Sequence, residues 1–115
     1  MAVPPDSYRG RMPTTTIAGR KVSVDDEGFM TDFDEWDETT AVALAASIGI
    51  ALTDEHWKAI RFVREDYRTQ GATPTVRRVS TAGGLDTKHL FALFPARPAT
   101  KMAYVAGLPK PSDDS

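Results

Sequence analysis

The chain has 115 residues, of which 41% are hydrophobic and 26% charged, with a formal net charge of −2. That length and composition fit one domain with a single core, large enough to fold without covalent or metal staples. There is no cysteine, which excludes thiol chemistry, disulfides, CxxC redox motifs and cysteine zinc sites within these residues.

Residues 1–13 are polar and Pro-rich and lack the apolar stretch of a secretory leader, so they read as a flexible tail on a cytoplasmic protein. No apolar run approaches the ~20 residues that span a bilayer, and no membrane partner is expected. Thr14 to Ile17 and Lys21 to Val24 are β-prone runs on either side of Ala18-Gly19-Arg20, the pattern of a small hairpin. Asp25-Asp26-Glu27-Gly28 makes a further turn, after which Phe29, Phe33 and Trp36 offer core anchors within an acidic segment.

Residues 25 to 55 carry ten acidic side chains and no Lys or Arg, whereas residues 58 to 101 carry nine basic and three acidic ones. An electrically polar molecule follows, able to orient a partner at short range, since the field is screened beyond about 8 Å in physiological salt. Two ordinarily solvated faces would carry the same charges.

Asp37 is placed to cap a helix running to about Ile48, because Ala41, Leu44, Ala45 and Ile48 share one face and Gly49 suits its end. Thr53 caps the next helix, with Asp54 and Glu55 in its first turn and Trp57, Ile60, Val63 and Tyr67 as the buried stripe. Phe62 points off that stripe and needs either a second packing partner or a contact role. Thr73-Pro74 reads as the cap and first residue of a third helix, with Val76 and Val79 inward and Gly83-Gly84 at its end. Asp86 caps a fourth helix stopped by Pro95, and Pro98 opens a fifth closed by Gly107. Residues 108–115 hold two prolines one residue apart and read as an extended arm that projects from the domain of residues 14–107. The fold class is thus mainly α (α+β): about five helices with an N-terminal hairpin and a C-terminal arm.

Chemistry is sparse along this chain. His56 and His89 are the only histidines, and His56, beside Trp57, reads as a half-buried packing residue. The run from Asp32 to Asp37 has superficial calcium-ligand spacing but lacks the glycine and terminal bidentate glutamate of an EF-hand loop. No GxxxxGK[ST], GxGxxG or GxSxG occurs, so neither metal nor cofactor is expected. Thr53 to about Thr81 has helix-turn-helix proportions, and Arg61, Arg64, Arg68, Arg77 and Arg78 form a candidate DNA-binding set along it. Any two short packed helices would look the same.

The C-terminal third is more specific. Leu93-Phe94-Pro95, Pro98-Ala99 and Ala106-Gly107-Leu108-Pro109-Lys110-Pro111 resemble the closing signature of the DsrC/TusE family of sulfur-relay proteins. Asp26-Glu27-Gly28-Phe29, Trp36, Leu52 to Trp57, Arg61-Phe62-Val63-Arg64, Tyr67, Pro74 and Val76-Arg77 agree with it in the same order. The resemblance implies a small helical domain whose arm carries a penultimate cysteine that accepts persulfide sulfur, with a second cysteine on the preceding helix in DsrC-type members. It also implies partners: TusBCD-like sulfurtransferases of tRNA thiolation, or DsrAB-like sulfite reductase.

Matching the motif puts those two cysteine positions at Ala103 and Asp114, so neither thiol exists. The chain also departs at Thr81, where a lysine usually stands, and in a short connection from Gly83 to Lys88. The expected function is therefore that of a non-catalytic regulator or scaffold. Leu108, Pro109, Lys110, Pro111 and Asp114 would contact a sulfurtransferase, a reductase or compete with a cysteine-bearing paralogue. Transcriptional regulation through DNA is the alternative.

Overall fold

The computed structural model describes residues 14–111; residues 1–13 and 112–115, including Asp114, lie outside the described residues. Among the described residues an antiparallel hairpin, β1 (Thr14–Ile17) and β2 (Arg20–Ser23), precedes five helices: α1 (Glu38–Ser47), α2 (Asp54–Gln70), α3 (Val76–Gly83), α4 (Thr87–Leu93) and α5 (Pro98–Ala106).

Ala18 and Gly19 both take positive φ, 55° and 80°, and Ile17 pairs with Arg20. The turn is therefore two residues long, and β2 begins at Arg20, one residue before its expected start. Two consecutive left-handed residues match the twist of the strands they join. Val22, Val24, Met30 and Leu44 close a small core beneath the hairpin.

The acidic segment is a chain of turn caps. Asp25 Oδ1 accepts the backbone N–H groups of Glu27 and Phe29 at 2.9 and 3.0 Å, and Asp32 Oδ1 accepts that of Asp34. Glu35 accepts the Ser23 N–H at 2.7 Å, tying the segment to β2. Asp37 caps α1, accepting from the Thr40 backbone at 2.8 Å and the Thr40 hydroxyl at 2.9 Å. Those hydrogen bonds, with Arg20 nearby, hold its carboxyl below the usual carboxylate range. Four of the ten acidic side chains of residues 25–55 thus serve the local backbone.

Helix α2 starts at Thr53 as expected, through a cap the sequence reading missed. His56 stands where a capping box usually has Glu or Gln. Its Nδ1 accepts from the Thr53 N–H at 3.1 Å and lies 2.8 Å from the Thr53 hydroxyl, while Nε2 lies 2.9 Å from the Leu93 carbonyl. The Nε2–H tautomer satisfies all three, and the ring stands edge-on to Phe94. On the stripe of α2, Ile60 and Val63 are buried, whereas Trp57 and Tyr67 are only half-buried. Phe62 has its second packing partner in the end of α3: a Cβ on Gly83 would lie 3.1 Å from its ring.

Helix α3 begins two residues later than expected. Thr75, not Thr73, is the cap, its hydroxyl accepting the Arg78 N–H at 3.1 Å. Thr73 instead donates to the Pro109 carbonyl at 2.8 Å. Helices α4 and α5 follow their expected bounds, with Gly107 in the left-handed conformation at the end of α5. Helix α5 packs on α1, α2 and α4. Alanines at 41, 45, 59, 99, 103 and 106 are fully buried there, which lets the helices approach closely around Ile60, Leu90, Phe94 and Met102.

Candidate functional site

The residues expected to meet a partner lie where α5 gives way to the arm. Gly107, at φ 72°, turns the chain, and the Leu108 N–H returns to the Ala103 carbonyl at 2.9 Å. That reversal drives the Leu108 side chain into the core, where it is fully buried. The expectation that residue 108 projects is corrected here: an apolar residue just past a helix-ending glycine gains more by packing than by extending into water. Pro109 and Lys110 are exposed and Pro111 is buried. The Pro109 carbonyl is held by Thr73, and Lys110 Nζ lies 3.1 Å from a Glu27 carboxylate oxygen.

Beneath this root the fold joins residues that the sequence singles out separately, Phe33 and Trp36 as core anchors and Arg64 on the basic face of α2. The Trp36 indole N–H donates to the Val105 carbonyl at 2.8 Å, and its ring lies against Gly107, where a Cβ would come within 2.5 Å. Arg64 from α2 donates to the Ala106 carbonyl at 2.9 Å and the Phe33 carbonyl at 3.0 Å. Its guanidinium lies 3.8 Å from the Phe33 ring centre and 4.1 Å from that of Trp36. Burial, with Arg68 beside it, pushes Arg64 down to about 10, so it stays a cation at neutral pH. Phe33 stacks on Tyr67 with centroids 5.6 Å apart.

The candidate DNA set is broken up by these contacts. Arg64 is spent on two carbonyls and two rings. Arg78 grips the buried Asp66 through Nε and Nη2 at 2.8 to 3.0 Å, which raises its pKa. Arg61 pairs loosely with Glu38 at 3.9 Å, while Arg68 and Arg77 are exposed. Helices α2 and α3 are joined by residues 71–75, longer than the three or four residues usual in a helix-turn-helix.

Ala103 is 1% exposed and faces the core, not the surface. A thiol there is expected to be shielded. In Ala103→Cys, alkylation by iodoacetamide should be slowed by roughly a hundredfold or more relative to the urea-unfolded chain, because reaction requires opening of α5. Equal rates folded and unfolded would show that this position is accessible.

Comparison with known proteins bears on the arrangement. The family model described as DsrC like protein matches residues 16–113. Sulfurtransferase TusE of Salmonella typhimurium is 39% identical over 100 residues, spanning 81% of this chain and 92% of that protein. Its counterpart in Escherichia coli K12 is 35% identical over the same shares. The solution structure of Allochromatium vinosum DsrC superposes with a TM-score of 0.75 at 34% identity, covering 89% of this chain and 97% of that one. The oxidised gamma-subunit of dissimilatory sulfite reductase from Archaeoglobus fulgidus gives a TM-score of 0.73 at 36% identity, covering 90% and 100%. Among the described residues, no helix is long and apolar enough to cross a membrane.

Proposed function

The chain belongs to the DsrC/TusE family, and from that premise we propose that it is a non-catalytic member which binds the family's sulfurtransferase or sulfite reductase partners as a regulator or scaffold. One observation carries the reading. The arm root is held from several sides, by Arg64, Trp36 and the Thr73 and Glu27 tethers, while the positions that the resemblance assigns to the two thiols hold Ala103 and Asp114. A persulfide needs a thiolate sulfur, and no residue of this chain supplies one. Asp114 would bring a carboxylate to the place where the family presents a reactive sulfur, which allows docking without transfer.

Such a protein competes with a cysteine-bearing paralogue for the same partner. The test is calorimetric titration of this chain into a TusBCD-like or DsrAB-like complex, followed by addition of a thiol-bearing TusE or DsrC. Binding that the thiol-bearing protein displaces is the expected result. No heat with either complex, or binding that it cannot displace, would end this reading. DNA binding is not carried forward, because two of its five arginines, Arg64 and Arg78, already have their guanidinium groups engaged by partners within the chain.

A further inference from the structure

Between α3 and α4 runs an open groove of about 830 Å³ lined by Thr75, Val76, Arg77, Ser80, Thr81, Thr87 and Phe91. Phe91 is 46% exposed although it follows the fully buried Leu90. The reason is geometric: Leu90 and Phe94, four residues apart, form the inward face of α4, and Phe91 falls a third of a turn away, on the groove wall. The lining is chemically one-sided. It contains no acidic side chain and presents the exposed Arg77 guanidinium. Among the described residues the Ser80 and Thr87 hydroxyls have no hydrogen-bond partner, whereas Thr81 is satisfied by the Arg77 carbonyl. An apolar wall beside one uncompensated cation fits a ligand that brings both an apolar side chain and carboxylates.

The groove also adjoins the arm. Its near end is Thr75, two residues from the Thr73 that holds Pro109. We propose that the groove receives an acidic, leucine- or phenylalanine-bearing segment of the protein partner, with Phe91 as its apolar anchor and Arg77 as its charge contact. The inference rests on the reading that the arm root meets a protein. It favours protein over nucleic acid, because one arginine beside an exposed phenylalanine offers little to a run of phosphates.

The test is titration of the isotope-labelled full chain, followed by amide shifts, with a synthetic peptide carrying a leucine between aspartates and a control in which lysines replace the aspartates. Saturable shifts confined to residues 75–81 and 87–91 with the acidic peptide alone are expected. Arg77→Glu should weaken the acidic peptide by about tenfold or more and admit the lysine control, while Phe91→Ala weakens the acidic peptide without admitting the control. Because both positions are exposed, these variants should fold, and unchanged spectra away from the groove verify it. Several outcomes overturn the proposal: no saturable shifts, equal response to the two peptides, or preferential displacement by a DNA duplex. Groove shifts on simple dilution would assign it to a second copy, and groove shifts caused by Asp113→Asn with Asp114→Asn, without peptide, to this chain's own carboxylates. Either also overturns it. The peptide titration needs no relay complex, so it can fail while displacement by a thiol-bearing paralogue succeeds, and the reverse.

Discussion

Gly107→Ala is expected to lower stability by about 4 kcal/mol, the sum of a backbone cost and a steric one. The backbone part follows from φ 72° at this position, a left-handed conformation that costs a residue with a Cβ about 1–2 kcal/mol. The steric part follows from Trp36, whose Cδ1, Cγ and Cβ would lie 2.5, 2.9 and 3.0 Å from the new methyl group. Trp36 is poorly placed to retreat, because its indole is fixed to the Val105 carbonyl and covered by Arg64. Gly71→Ala is the control. Gly71 has a similar φ of 78° with nothing within 4 Å of a Cβ, so it should lose only the backbone part. Urea denaturation of both variants separates the two costs. Equal midpoints would mean that the Trp36 contact is soft and that the arm root tolerates movement.

The difference between those two glycines marks what was legible in the sequence. Gly107 suits a helix end from local chemistry, as do Asp37, Thr53 and Pro98, because a cap is decided by a few adjacent residues. The hairpin and five helices follow from such punctuation. What Gly107 touches is set by Trp36, 71 positions earlier in the chain, and no local pattern carries that. The start of α3 shows the same limit. Thr73 and Thr75 are each able to cap, and the choice falls to Thr75 because the arm's Pro109 carbonyl takes the Thr73 hydroxyl. The burial of Leu108 is not legible, because the two prolines beyond it describe backbone shape, not burial. Of the candidate site, the resemblance carries the motif residues 108–111 and also Trp36, Arg64 and Tyr67, but not the contacts that bring these three under the arm root. Arg64 reads as a solvated residue on the polar side of α2; its advance signals are its place with Trp36 and Tyr67 among the residues of the resemblance and the pair of aromatics, Phe33 and Trp36, embedded in an acidic segment.

Arg64→Ala is the second large effect, about 3 kcal/mol, with a consequence specific to the arm. A charge-assisted hydrogen bond contributes roughly 1.5–3 kcal/mol when buried, and this side chain makes two, at 2.9 and 3.0 Å. Partial exposure discounts each, and its ring contacts add about 0.5–1 kcal/mol apiece, which gives a figure near three. For a domain of this size that lowers Tm by roughly 12–20 °C. Removal leaves the carbonyl of the buried Ala106 without its donor at the residue preceding Gly107. Arg64→Lys keeps the charge but loses the planar fork that reaches two carbonyls from between two rings, so it should recover less than half of the loss. Amide hydrogen exchange distinguishes a local role from a general one. If Arg64 orders the arm root, then below the unfolding transition exchange should accelerate at Leu108 in the alanine variant while the amides of α3 and α4 stay protected. Uniform acceleration across all helices would reduce Arg64 to a contributor to global stability and leave Trp36 and Leu108 as the elements that aim the arm.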